Sequence, residues 1–125
     1  MVLIDPRLEP LAMRVANGAG PVRPPDRVIE KAVGNGLDEA TLKLVLEKYV
    51  HESLHLFVDP VEWSLAESVP KLYVRTTKDH SLLPAFQDKM IAHAQPIRVV
   101  ELETGHLPML CQPKELAAHL NSLLA

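Results

Sequence analysis

Strand-like and helix-like segments alternate in the back half of the chain, and this alternation restricts the fold more than any other feature of the sequence. The runs KLYVRTT (71–77) and IRVVELE (97–103) are rich in β-branched and aromatic residues, which predicts two strands. Each run precedes a helical pattern with proline near its first turn, PAFQDKMIAHA (84–94) and PKELAAHLNSLLA (113–125). Connections this short predict a right-handed βαβ unit and therefore an α/β fold with a parallel sheet.

The front of the chain is less regular than the back. Proline and glycine interrupt residues 1–26, where we expect mainly loops, with a short strand at residues 2–4 and a turn of helix near residues 11–15. Asp26 is placed to cap a short helix that the sequence GNG (34–36) ends. We therefore expect residues 1–69 to form a loop-rich and mostly helical segment, and residues 70–125 to form the α/β segment.

A longer helix is predicted from Asp38 to Phe57, because apolar residues recur there with a period of 3.6. Inside it, HESLH (51–55) matches H-E-x-x-H, a pattern in which two histidines one turn apart share a zinc ion and the glutamate serves as a base. His51 and His55 are therefore a candidate metal site of a zinc peptidase. Such a site also needs a third ligand, and no H-E-x-x-H-x-x-G-x-x-H extension follows. We favour a plain helix with polar residues on its wetter side.

The totals exclude several classes of function. The formal net charge is −3 and no basic patch stands out, so nucleic acid is not an expected partner. No stretch approaches the ~18 apolar residues of a membrane helix, and the N-terminus lacks the pattern of a signal peptide. The single cysteine, Cys111, is consistent with a reducing compartment. We expect a soluble cytoplasmic protein that does not bind membranes.

Chemically useful residues follow both predicted strands. Asp79 comes after the first strand, in KDHSLLP, and His106 comes after the second, in TGHLPML. Functional residues of open α/β sheets lie just beyond the carboxyl ends of the strands, and neighbouring parallel strands are ~4.8 Å apart. A carboxylate on one loop can therefore reach an imidazole on the next, fix its tautomer and stabilise its protonated form.

These residues carry a resemblance to a known family. The stretches YVRTTKDHSLLPAFQDKMI and IRVVELETGHLPMLCQPKELAAHL resemble the C-terminal end of an α/β-hydrolase, in its esterase, methylesterase and hydroxynitrile-lyase-like subgroup. The resemblance covers residues 58–125 and implies that Asp79 is the triad acid and His106 the triad base. Residues 1–57 resemble the helical lid of the family.

One part of the family pattern does not occur in the sequence. The family's order is Ser, acid, His, with the serine in a G-x-S-x-G elbow, and none of the five serines has these flanking glycines. They are Ser53, Ser64, Ser68, Ser81 and Ser122. The resemblance therefore implies esterase-type hydrolysis of a small ester, without metal or organic cofactor, only if another segment or a complementing hydrolase half supplies the nucleophile. The alternative is a non-catalytic binding module that forms homo-oligomers, because a sheet of two or three strands leaves unpaired edges.

Overall fold

The computed structural model describes residues 9–60, 69–96 and 98–123. In chain order its elements are α1 (Glu9–Ala16), α2 (Asp26–Ala32), α3 (Glu39–Lys48), α4 (His55–Val58), β1 (Leu72–Thr76), α5 (Pro84–Ala94), β2 (Arg98–Leu102), α6 (Pro108–Cys111) and α7 (Pro113–Asn121). These residues form two compact units. Unit one contains residues 9–24 and 49–60, and unit two contains residues 25–48, 69–96 and 98–123. None of the described helices is long and apolar enough to cross a membrane.

Unit two is built on the pairing of β1 with β2. The two strands are parallel, in a register that runs from Leu72 opposite Arg98 to Thr76 opposite Leu102. Helix α5 packs on β1 and α7 packs on β2, so the predicted strand–helix–strand–helix order and the parallel pairing are confirmed. The sequence did not predict α6, a single turn between β2 and α7.

Arg75 joins three elements of this unit. It lies on β1 opposite Glu101 of β2, and its Nη1 atom donates to Glu101 Oε1 over 3.0 Å. Its Nε atom donates to Asp88 Oδ1 of α5 over 2.8 Å. The hydrogen bond from Arg75 lowers the pKa of Asp88 below its ordinary value. The arginine therefore links the strand pair to the crossover helix.

The buried residues of unit two include an unusual share of polar side chains. Ile29 and Leu102 are buried apolar residues, while Thr76, Asp79, Gln87 and Thr104 are buried polar ones. A buried polar group is stable only when it is hydrogen-bonded. All four lie on β1, on α5 or on the two loops that follow the strands, so the polar part of the interior is located at the carboxyl ends of β1 and β2.

In unit one, α1 packs against α4, and the chain around Glu52 pairs with the chain around Val22. The backbone of these two residues exchanges two hydrogen bonds of 2.9 Å. Arg23 donates from Nε to the carbonyl oxygen of Tyr49 over 3.2 Å, and its guanidinium lies 5.8 Å from the centre of the Tyr49 ring.

The prediction of one helix from Asp38 to Phe57 is wrong. Helix α3 begins as expected, since Asp38 Oδ1 accepts a 2.7 Å hydrogen bond from the backbone N–H of Thr41 and so caps it. It ends at Lys48. Continuing it would require the Glu52 N–H to bond to the Lys48 carbonyl, but that N–H is bonded to Val22. Tertiary pairing overrides the helical period here.

The remaining expectations have different outcomes. Helix α1 contains the turn of helix expected near residues 11–15, and the strand expected at residues 2–4 lies outside the described part of the chain. Asp26 is the first residue of α2 and not its cap, because Pro25 occupies the cap position. The last two residues of the predicted closing helix lie outside the described part of the chain, as does Ile97 of the second predicted strand. The predicted division at residue 69 between a lid and a core stays a prediction.

Candidate active site

Asp79 lies in the loop after β1 and is 3% exposed. Its Oδ1 atom accepts two 2.8 Å hydrogen bonds from the backbone N–H groups of Ser81 and Leu82. Its Oδ2 atom accepts from the Thr76 hydroxyl over 3.0 Å and faces His106 Nδ1 over 2.9 Å. The hydroxyl and the two N–H groups are donors, and an ionised carboxylate is a pure acceptor. The loop is therefore arranged around the charged form of this side chain.

His106 follows β2, and its side chain is 35% exposed. Because an ionised carboxylate can only accept, the Nδ1 atom of a neutral imidazole that is hydrogen-bonded to Asp79 Oδ2 carries the proton. Nε2 then has the free lone pair. Among the described residues, no side chain or backbone group is hydrogen-bonded to Nε2. The pair thus has the arrangement of an acid that orients a base, with the basic nitrogen directed away from the acid.

The histidine loop is held by close packing at Gly105. A Cβ atom at this position would collide with the carbonyl oxygen of Asn35, and it would meet the side-chain oxygen of Asn35 at 2.7 Å. Asn35 also donates from Nδ2 to the carbonyl oxygen of Lys78 over 2.6 Å. The turn after α2 therefore contacts both site loops, the one that carries Asp79 and the one that carries His106. Only glycine allows this approach.

A cleft of about 800 Å³ opens at the carboxyl ends of the two strands. Its lining includes Asp79, Thr104, Gly105 and Cys111. Thr104 is 4% exposed, and its hydroxyl has no hydrogen-bond partner among the described residues. The cleft is located where open α/β sheets place their ligands.

Charged groups flank the same edge of the sheet. Lys78 Nζ contacts Glu103 Oε1 over 2.8 Å, and this hydrogen bond lowers the pKa of Glu103. Burial raises the pKa of the Tyr73 phenol on β1, and the negative charge of Asp79 adds to this effect. Both side chains of the Lys78–Glu103 pair are well exposed, so the pair adds little to stability.

The candidate metal site is not assembled. His51 lies between α3 and α4 and Glu52 lies in the pairing with Val22, so H-E-x-x-H does not form one helical face. His55 instead contacts Asp59, from Nδ1 to Oδ1 over 2.9 Å. Among the described residues, no group of three or more His, Cys, Asp or Glu side chains is placed to hold a metal ion. The helical geometry that the zinc motif requires is absent from this part of the chain.

Two residues that support the site loops were not predicted from the sequence. Gln87 bonds the loop of Asp79, and Asn35 bonds that loop and packs on the loop of His106. A signal for Gln87 exists in the sequence, because it is three and four residues from the apolar Met90 and Ile91, on the same face of α5. No local pattern in the sequence points to Asn35, whose role depends on contacts between distant residues.

The order of the elements in unit two and the parallel pairing of β1 with β2 are similar to the fold of solved esterases. Among solved structures, polyneuridine aldehyde esterase superposes with a TM-score of 0.71 at 20% identity, over 81% of this chain and 42% of that chain. A histidine-to-alanine variant of that esterase superposes with a TM-score of 0.70 at 19% identity, over 79% of this chain and 41% of that chain. At these identities the likeness shows the fold.

Two curated proteins are similar to this chain in sequence. Methylesterase 8 of Arabidopsis thaliana is 41% identical over 54 residues, which is 42% of this chain and 20% of that protein. Methylesterase 17 of the same plant is 40% identical over 47 residues, 38% of this chain and 17% of that protein. The chain therefore matches a fifth or less of the length of these relatives. No protein-family model matches the sequence. The predicted resemblance to esterase-like α/β-hydrolases is confirmed.

Proposed function

We propose that this chain supplies the acid and the base of a Ser-His-Asp esterase that acts on a small ester. Asp79 is the acid, His106 is the base, and the nucleophilic serine comes from a polypeptide segment outside these 125 residues. The observation that carries the proposal is the 2.9 Å contact between a fully buried carboxylate and Nδ1 of a partly exposed imidazole. The similarity to proteins named methylesterase and aldehyde esterase supports the choice of an ester substrate.

In this proposal Asp79 holds His106 in the tautomer whose Nε2 atom accepts a proton. His106 Nε2 takes the hydroxyl proton of the serine while the serine Oγ atom forms a bond to the ester carbonyl carbon. The bond to the alkoxy group then breaks, and the imidazolium returns the proton to the leaving alcohol. Water attacks the acyl-serine in the same way, with His106 again as base and then as acid, and the carboxylic acid leaves.

The base alone does not make an esterase. Attack on the carbonyl carbon needs the nucleophile, and the developing oxyanion needs donors aimed at it. The sequence contains no G-x-S-x-G elbow, and Ser81 is engaged through its backbone N–H with Asp79. We therefore expect the isolated chain to be inactive on esters.

The experiment is reconstitution. The chain is co-purified with an N-terminal methylesterase segment that carries G-x-S-x-G, and hydrolysis of short-chain p-nitrophenyl esters is followed. We expect activity only in the assembled pair, and a loss of about 10³-fold or more in kcat in His106→Ala. His51→Ala is the matched control, since His51 is exposed and outside the site, and it should retain full activity. An assembled pair that is inert, or that is indifferent to His106→Ala, contradicts the proposal.

A second candidate function is a non-catalytic module that forms homo-oligomers. Val99, an apolar residue of β2, is 42% exposed, and within the described residues the sheet consists of β1 and β2 alone. Such strands invite pairing with another chain. Light scattering on the purified chain tests this candidate, which predicts a concentration-dependent rise in mass and is contradicted by a monodisperse monomer.

A further inference from the structure

Gln87 is the most enclosed polar side chain of unit two, with an exposed fraction of 1%. It lies on α5, three residues into the helix that follows the Asp79 loop. A primary amide has two donors and a carbonyl acceptor, and burying it is costly unless these are used. The hydrogen bonds of Gln87 therefore identify the part of the structure that this side chain stabilises.

The Gln87 amide bonds both ends of the loop that carries Asp79. Its Nε2 atom donates to the carbonyl oxygen of Thr76 over 2.9 Å and to that of Leu82 over 2.8 Å. Its Oε1 atom accepts from the backbone N–H of Thr76 over 3.0 Å. Thr76 is the last residue of β1, and Leu82 is the last residue whose N–H bonds Asp79. One side chain thus fixes the entry and the exit of the loop.

The connection continues to the carboxylate itself. The Thr76 hydroxyl lies 3.3 Å from Gln87 Oε1 and 3.0 Å from Asp79 Oδ2. That Oδ2 atom is also the one that faces His106 Nδ1. A hydroxyl has one proton, and the shorter distance to a charged acceptor directs it to Asp79. Gln87, Thr76, Asp79 and His106 form one continuous network, three members of which are buried.

We propose that Gln87 is a positioning residue that fixes the Asp79 carboxylate against His106. It touches neither reacting atoms nor the imidazole, and it acts through the loop between Thr76 and Leu82. Its importance for catalysis rests on the function proposed above, but its effect on the His106 contact does not. Asn35 supports the same loop at Lys78, so removal of Gln87 loosens the loop and does not release it.

The test measures solvent exchange of the His106 Nδ1 proton by NMR in the isolated chain. Gln87→Met keeps the length of the side chain and removes its hydrogen bonds. We expect the exchange to accelerate by about tenfold or more, because the acceptor of this proton becomes mobile. Amide protons of Tyr73 and Val100, inside the strand pair, should keep their rates. Lys89→Met is the matched control, since it places the same side chain on the exposed side of α5 and should change nothing.

Two results overturn the proposal. One is an exchange rate at His106 that stays within about twofold of the unmodified chain. The other is an equal acceleration at His106, Tyr73 and Val100, which makes Gln87 a residue of general stability. If Gln87→Met does not fold, Gln87→Glu replaces it. This variant keeps the volume and the acceptor for Thr76, and its ionised carboxylate cannot donate either of the two bonds that Gln87 Nε2 donates, so the same two results decide.

A second measurement, the kinetics of the reconstituted esterase, distinguishes the positioning role of Gln87 from the proposed function of the chain. In the reconstituted esterase, Gln87→Met should lower kcat by about 10- to 100-fold with KM unchanged, because misplacement of the acid affects only the transition state. If the reconstituted enzyme with unmodified Gln87 is inactive, the proposed function fails while the exchange measurement still decides the role of Gln87. If that enzyme is active and kcat is unaffected in the variant, the positioning role fails alone.

Discussion

Two histidine–aspartate pairs in this chain have the same contact, from Nδ1 to a carboxylate oxygen over 2.9 Å. In the pair of His55 and Asp59, one helical turn apart, both side chains are 58% exposed. In the pair of His106 and Asp79, 27 residues apart, they are 35% and 2% exposed. The exposed carboxylate can exchange its partner for water, whereas the buried one is enclosed by three further donors.

The comparison shows that distance alone does not identify a functional pair. A contact on the surface is screened by solvent and costs side-chain entropy, so it adds little. A contact at the buried ends of two strands is fixed by the sheet, by Gln87 and by the packing of Gly105 on Asn35. The second arrangement is fixed within the protein itself, and the proposed acid–base role requires such a fixed geometry.

The largest expected effect separates the two carboxylates. Asp79→Ala leaves the N–H groups of Ser81 and Leu82 without their acceptor in a partly buried loop, and we expect a loss of about 2–4 kcal/mol in the free energy of unfolding. Asp59→Ala removes an exposed partner and should change that free energy by less than about 0.5 kcal/mol. Urea denaturation of both variants measures the difference, and equal losses would remove the distinction between the two pairs.

A smaller effect tests how the buried pair is held. Gly105→Ala places a Cβ atom against the carbonyl oxygen of Asn35, and we expect it to cost about 1–3 kcal/mol, because the backbone must move. Gly20→Ala is the matched control, with nothing within 4 Å of the added atom, and it should be neutral or slightly stabilising. Thermal unfolding followed by circular dichroism gives both values. Tolerance of alanine at Gly105 would show that the histidine loop is not tightly packed.

The smallest effect concerns a partly exposed charge pair of unit two. Arg75 lowers the pKa of Asp88, so the stabilisation is present above the ordinary aspartate pKa of 3.8 and is lost as the pH falls through the lower folded value. Arg75→Met should therefore lower the urea midpoint at pH 7. The difference from the unmodified chain should shrink below about pH 4 and also in high salt. A difference that is constant with pH would mean that Arg75 acts through packing and not through its charge.

The sequence predicted the parts of the fold that depend on local pattern. Pro84 and the apolar residues after it define α5 at its observed bounds, and the β-branched runs identify both strands. Asp79 and His106 follow those strands, so the acid–base contact could be expected before the structure was known. Its assignment as a catalytic pair stays a proposal.

The two largest failures share one physical cause, which is contact between residues far apart in the chain. The helical period continues beyond Lys48, but Val22 takes the backbone groups of Glu52 and ends the helix. The sequence around Asn35 predicts only a turn that ends a helix, but Asn35 packs on Gly105, 70 residues further along the chain. Such pairings cannot be predicted from local propensity. The pairing of Glu52 with Val22 interrupts the H-E-x-x-H motif, and the packing of Asn35 on Gly105 supports the candidate site.

His106 contacts a buried carboxylate that can orient its ring as a base, whereas His55 contacts an exposed carboxylate at the surface. The most direct measurement is the ¹⁵N chemical shift of both ring nitrogens of each, at a pH roughly two units above the ordinary histidine pKa of about 6.5. We predict that His106 carries its proton on Nδ1 with Nε2 unprotonated, and that His55 shows the averaged pattern of a free imidazole. A proton on Nε2 of His106, or one pattern shared by both residues, would contradict the account.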